Sequence, residues 1–390
     1  MLKGFVLANI ADEQQKLDAN RTWKERVGAL MELGKEADAD AFKAWLRSQY
    51  AQTIRERKKE ALPGDFDRLG TEFHRWVREH HEEISLKRSA DFARFVQRDL
   101  NFYTRQYLRL RQAAETLTPG LEAVYYNAGH DLTLQYPLLL APLLPEDDEQ
   151  TVNWKLRVVG SFIDILLAQR LWNFRSITYS TMQYAMFLVM RDIHEKAPTE
   201  LAKILRARLD EEEETFATND RLRMHQQNRY AIHELLARIT DHVEQASGQP
   251  SRFEEYVSTK IKDRYEVEHI WANHPERHTD EFSHPEDFAE YRNRLGGLLL
   301  LPKSFNASYG DLPYEEKLKH YNSQNLLARS LHTQAYEHNP GFLAYIKRSG
   351  PPFKSHPQFK KADLDARQDL YRRIAEEIWN PVRLEQETAP

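Results

Sequence analysis

The sequence predicts a mainly α-helical protein: a multi-helix assembly followed by a smaller domain built on a two-stranded sheet. Three observations lead there. Glycine is scarce, 14 in 390 residues, with none between Gly160 and Gly248, which favours long helices. Apolar residues recur at helical spacing in almost every window from about 10 to 246. Beyond ASGQPS (246–251) the texture changes to alternating and continuous apolar runs of strand length. The length exceeds one ordinary domain, and three segments are expected: a helical domain over 1–248, a domain with the sheet over 249–349, and a basic tail with a packing helix over 350–390.

In the first segment the helices are punctuated at LPGD (62–65), TPG (118–120), PEDDEQ (145–150) and Pro198. NWKLRVVGSFIDILLAQRLW (153–172) is apolar on most sides, so it is expected to be the central helix. LDEEEETF (209–216) reads as a solvated acidic stretch. Taking 89–117 as one helix at about 100° per residue, Arg94, Arg98, Arg105 and Arg109 fall at about 0°, 40°, 20° and 60°. Four arginines then share one face. Two readings stand for them: a solvated face paired with neighbouring acids, or a surface that tracks phosphates.

In the second segment RYEVEHI alternates like a strand, a His- and acid-rich loop follows, and LGGLLLLP reads as a buried strand. A Pro-rich stretch at 350–357 leads to a last helix at about 362–379.

With 55 basic and 60 acidic residues the net charge is −5, so no global positive field draws nucleic acid and any such binding needs local patches. The chain has no cysteine, which excludes disulfides, cysteine zinc sites and a thiol nucleophile. Neither MLKGFVLANIADEQQ nor LTLQYPLLLAPLLP, with its prolines, reads as a signal peptide or a membrane span. A soluble, cytoplasmic protein with no membrane partner is expected.

Chemistry concentrates after residue 265. The order is an acid-His step on a strand (Glu268, His269), a loop, a second strand, and Asn306 opening a helical segment. Hydrolysis of a phosphodiester needs a base for water and a cation for the departing oxygen. A histidine serves as base near neutral pH, which makes His269 the candidate. Mg²⁺ prefers oxygen ligands and keeps several waters, so Glu268 and Asn306 suffice to hold Mg²⁺ or Mn²⁺. Lys303 and Lys317 are read as candidate contacts to DNA phosphates, against ordinary exposed lysines. Trp271 is expected to pack the loop.

The segment EHIWANHPERH…FAEYRNRLGGLLLLPKSFNASYGDLPYEEKLKHYNSQNLLARSL resembles the C-terminal HNH nuclease domain of GmrSD-type, modification-dependent (type IV) restriction proteins. The likeness covers roughly 255–346, through the acid-His-Ile step, RN-x-x-G-x-L-x-LL, the Asn ending PKSFN, and Y-x-x-K-x-x-x-Y. It implies a ββα-metal fold and a metal-dependent DNA endonuclease that acts in restriction of phage or foreign modified DNA. LKGFVLANI is similar to the segment that follows a ParB-like nucleotide-binding domain in fused members, which implies such a domain or subunit as a partner. Its Asp-Gly-Gln-Gln signature is not matched by Asp12-Glu13-Gln14-Gln15. The family also reads Gly-Asn-Leu in the second strand, where the Asn pins the loop bearing the base, whereas Gly297 stands here. Asn293, taken as the catalytic partner of His269, or Asn273 in the loop is left to replace it. The alternative function is a catalytically weak DNA-binding or protein-interaction module of a defence system, and RNA cleavage uses the same residues.

Overall fold

The computed structural model describes residues 1–386. It is 63% helical with one two-stranded antiparallel sheet, as the sequence predicts. The described residues form two compact units, 1–167 with 176–213 and 381–386, and 168–175 with 214–380. Among the described residues no helix is long and apolar enough to cross a membrane.

The first unit is helical throughout. Its principal helices are α1 (Glu13–Met31), α2 (Ala37–Tyr50), α3 (Asn101–Glu115), α4 (Glu149–Trp172), α5 (Tyr179–Ile193) and α6 (Pro198–Asp210). Trp45 of α2, almost wholly buried, stacks on Tyr103 of α3 at 5.6 Å. Within α4, Val158, Val159, Phe162 and Ile163 are all buried, so the expected central helix forms and starts four residues earlier than the apolar run suggests. Its Lys155 is buried too, and its ammonium donates to Asp147 (2.7 Å) and to the Pro142 carbonyl (2.8 Å), which removes the cost of an unpaired interior charge.

The arginine stripe is redrawn here. Residues 95–100 wind as a π-helix, so the even 100° step does not carry across from Arg94 to Arg105. Arg94 lies beside Asp91 (3.4 Å), Arg98 bonds Asp99 (2.7 Å) and Glu146 (2.6 Å), and Arg109 donates to Asn153 (2.5 Å). Of the four, Arg105 alone makes no such bond among the described residues.

The second unit is built around β1 (Tyr265–His269) and β2 (Leu298–Pro302), which pair antiparallel with Tyr265 opposite Pro302 and His269 opposite Leu298. Helices α7 (Arg229–Ala246), α8 (Pro285–Arg292), α9 (Lys303–Tyr309), α10 (Tyr314–Tyr321) and α11 (Lys361–Ile378) surround the pair. Leu298 to Leu301 are all 1% exposed or less, which explains why this strand reads as a continuous apolar run rather than an alternation. The breakers at 246–251 lie inside this unit, not at its edge. Asp241 of α7 accepts from the Arg252 amide (2.6 Å) and the Ser251 hydroxyl (2.9 Å), so the turn is sewn back onto the helix.

Residues 350–380 likewise belong to this unit and form no free basic tail. The Phe359 carbonyl accepts from the Trp271 indole (2.8 Å), Arg367 is buried against the Tyr371 hydroxyl (2.7 Å), and Lys360 bonds Asp280 (2.6 Å). Arg372 and Arg373 both bond Asp369. Helix α11 lies so close to the turn before β2 that a Cβ on Gly296 would stand 2.5 Å from the Leu364 carbonyl oxygen, and the Gly296 amide donates to Gln368 (2.7 Å).

Candidate functional site

Successive side chains of a strand face opposite ways, and β1 uses that to separate its two chemical residues. His269 and Val267 face an open cleft of about 920 Å³, whereas Glu268 is turned into the interior. The cleft has two walls. One is β1 with Ala289, Glu290 and Asn293 from α8 and its end; the other is the segment 223–229 with Arg223, His225 and Arg229.

His269 is held by Asn293. The Asn293 amide nitrogen donates to the Ala289 carbonyl (2.7 Å), which fixes the side chain so that its Oδ1 faces His269 Nε2 at 2.9 Å. An amide oxygen only accepts, so Nε2 carries the proton and Nδ1 is left as the imidazole's acceptor. Burial lowers the imidazole's pKa to about 3; the cations Arg292, Lys317 and Arg229 push the same way, and the Asn293 bond opposes them. The ring is therefore neutral at neutral pH. Ile270, the next residue, donates its amide to the Gly297 carbonyl (2.9 Å), which ties the end of β1 to the turn before β2.

Position 297 is tight for any side chain. A Cβ there would meet Leu364 Cδ1 at 3.0 Å and the Arg292 carbonyl oxygen at 3.3 Å, and the bond to the histidine already comes from Asn293. Asn273 is exposed on the loop.

Behind the strand, Glu268 Oε1 bonds Lys317 Nζ at 2.5 Å, and the same ammonium donates to the His269 carbonyl (2.8 Å). Lys317 is completely buried, which corrects the expectation that it meets DNA phosphate from the surface. Burial pushes the Glu268 carboxyl up and the Lys317 ammonium down, and each opposes that drift in the other. Arg292, which donates to the Trp271 carbonyl (2.9 Å), adds a second positive charge to this group.

Asn306 lies on α9, and its Oδ1 is buried with no hydrogen-bond partner among the described residues. An orphaned amide oxygen is the acceptor that a cation would satisfy. Among the described residues no three His, Asp or Glu side chains gather into a ready metal cage, so a cation here would rely on few protein ligands and on water. Lys303, at the start of α9, is exposed. Trp271 packs as expected, buried and stacked on Phe288. His274 bonds Glu276 (2.6 Å) and Asp311 (2.8 Å), while His278 stacks on Phe288.

Sequence reasoning missed the second wall. Backbone bonds from Met224 to the Asn293 carbonyl (2.7 Å) and from Leu295 to the Leu222 carbonyl (2.9 Å) lay 222–224 alongside 293–295. The signal was RLRMHQQNR (221–229), a basic run four residues after the acidic one.

Both walls fall within one recognised stretch of sequence. Residues 202–374 match the family model described as GmrSD restriction endonucleases, C-terminal domain. No curated protein matches the chain. The GmrSD match takes in β1, β2, the segment 222–229 and most of α11, so this stretch is similar to that C-terminal domain.

Proposed function

We propose that the second unit is an HNH-type endonuclease that hydrolyses a DNA phosphodiester with His269 as general base. The observation that carries this is the bond from His269 to an Asn293 whose own orientation is fixed, because it leaves Nδ1 free in a cleft open to a water and a phosphate. Nδ1 takes the proton from the attacking water as the new P–O bond forms, and the 3′ or 5′ oxygen departs. A base of such low pKa is weak, but an anionic phosphate entering the cleft stabilises the imidazolium and raises that pKa towards the working range. Asn293 holds the Nε2 proton and the ring's orientation before and after Nδ1 is protonated.

Glu268 and Asn306 are the candidates to hold Mg²⁺ or Mn²⁺, a cation that would supply positive charge to a departing oxygen, but Glu268 is turned away from the cleft and paired with Lys317, so no step is routed through a cation held there. The Lys317 ammonium competes for the same carboxylate. That pairing favours weak catalysis and keeps the binding-module reading as the second one. The GmrSD match supports a role in restriction, and we read that role as cytoplasmic, directed at phage or foreign modified DNA and exercised alongside a nucleotide-binding domain or subunit.

Supercoiled plasmid incubated with Mg²⁺, Mn²⁺ or EDTA tests the proposal. Wild type is expected to nick it only with metal, and His269→Ala to lose nicking while melting at the wild-type temperature. Equal nicking by the two proteins removes His269 from the mechanism, and no nicking under any condition leaves the binding module.

A further inference from the structure

Four arginines of the first unit invite a role in gripping DNA, yet three of them are already engaged. Arg94 has Asp91, Arg98 has Asp99 and Glu146, and Arg109 has Asn153. The cleft beside His269 offers a different group. Arg229 lines it, is exposed, and makes no ion pair or hydrogen bond through its side chain among the described residues.

Its position is built rather than incidental. Asn228 fastens the turn before it, accepting from the His225 amide (2.7 Å) and donating to the Arg223 carbonyl (2.9 Å). That turn is anchored in turn by the Met224 bond to the carbonyl of Asn293, the residue that orients His269. The wall carrying Arg229 and the side carrying the imidazole are thus fixed to one another through Asn293. The cleft's acids do not cancel Arg229. Glu290 is matched by Arg223 (2.9 Å) and by Arg294 (3.6 Å), which leaves only Glu286, exposed at the rim of the opposite wall.

We infer that Arg229 is the phosphate-gripping residue of this cleft, its guanidinium binding the non-bridging oxygens of the scissile phosphodiester across from His269. A guanidinium presents paired donors in a plane that suits two phosphate oxygens, and an unpaired one need break no existing bond to do so. The acidic chain would then hold DNA by a local contact at the reacting group rather than by a broad basic face. This rests on the hydrolytic reading for the role of His269, though not for the grip itself.

The test uses the full chain carrying His269→Ala, so that no substrate is consumed, and a fluorescein-labelled 20-base-pair duplex read by anisotropy over a range of NaCl. Arg229→Gln is expected to weaken binding roughly tenfold and to reduce the slope of log affinity against log salt by about 0.9, the loss of one phosphate contact. Arg229→Lys should keep the slope and recover only part of the affinity, a result that a merely structural role does not give. Glu286→Gln should tighten binding. Unchanged affinity and slope in Arg229→Gln overturn the inference, even if the parent enzyme cleaves plasmid. Arg229-dependent binding by a chain whose wild type never nicks DNA keeps the grip and removes the hydrolysis.

Discussion

Replacing Lys317 by methionine deletes one half of a buried ion pair while keeping most of the volume. Glu268 is 5% exposed and Lys317 is fully buried, so no water replaces the lost ammonium. Breaking such a pair costs about 3–5 kcal/mol. Arg292 still faces Glu268 and offsets part of this, which puts the expected loss near the lower end, about 3 kcal/mol. For a unit of this size that corresponds to a fall of about 6–12 °C in melting temperature. The His269 carbonyl also loses its donor, so the strand end should loosen. Thermal and urea unfolding should be followed for Lys317→Met, Glu268→Gln and the double variant. The neutral double variant should recover most of the stability, because neither charge is then stranded. A loss under about 1 kcal/mol in Lys317→Met, with no coupling between the two positions, would refute the pairing as the reason Glu268 is buried.

Other outcomes follow from the same geometry. Asn293→Leu should leave the unit folded but reduce plasmid nicking by at least tenfold, since the imidazole loses the bond that sets its tautomer; nicking at the wild-type rate would show that the bond is idle. Gly296→Ala should destabilise by about 1–3 kcal/mol, because its Cβ would stand 2.5 Å from the Leu364 carbonyl oxygen and the Gln368 amide nitrogen of α11, and urea unfolding measures it. Acid should destabilise the second unit before its carboxylates protonate. The folded pKa of His269 is about 3 and that of His356 about 4, against 6.5 for both when unfolded, so the unfolded chain takes up protons that the fold refuses. Stability is then expected to decline as pH falls from about 6.5 towards 4, and more shallowly in His356→Gln; identical slopes in the two proteins would remove His356 as a contributor.

Much of the second unit was legible from sequence because its signals are local. RYEVEHI alternates, and it forms a strand at 265–269; the four leucines form its partner; the last helix runs 361–378 where 362–379 was expected. What sequence could not carry is which way a side chain turns and whom it meets. Glu268 and His269 are neighbours in the chain and lie on opposite faces of one strand, so an acid-His step does not by itself make one site. Lys317 is 49 residues from Glu268, and its burial depends on how α10 folds back. The arginine stripe depended on more than spacing: one π-turn at 95–100 changes the angular step, and acids distant in sequence, such as Glu146, pair with the guanidinium. The segment 222–229 was overlooked because its place in the cleft comes from pairing with 293–295, contacts of long range with no periodic trace.

The closeness of α11 to Gly296 has a bearing on how the protein can be made. A ribosome completes the four-leucine strand about sixty residues before it begins the helix that covers the strand's approach. During that interval an uncharged, strongly apolar segment has neither its lid nor a fixed turn behind it, the state in which nascent chains pair with the wrong neighbours. A fragment ending at 349 would hold that condition permanently, however complete its set of site residues. Expression work on this unit should therefore begin no later than 168 and run through 380.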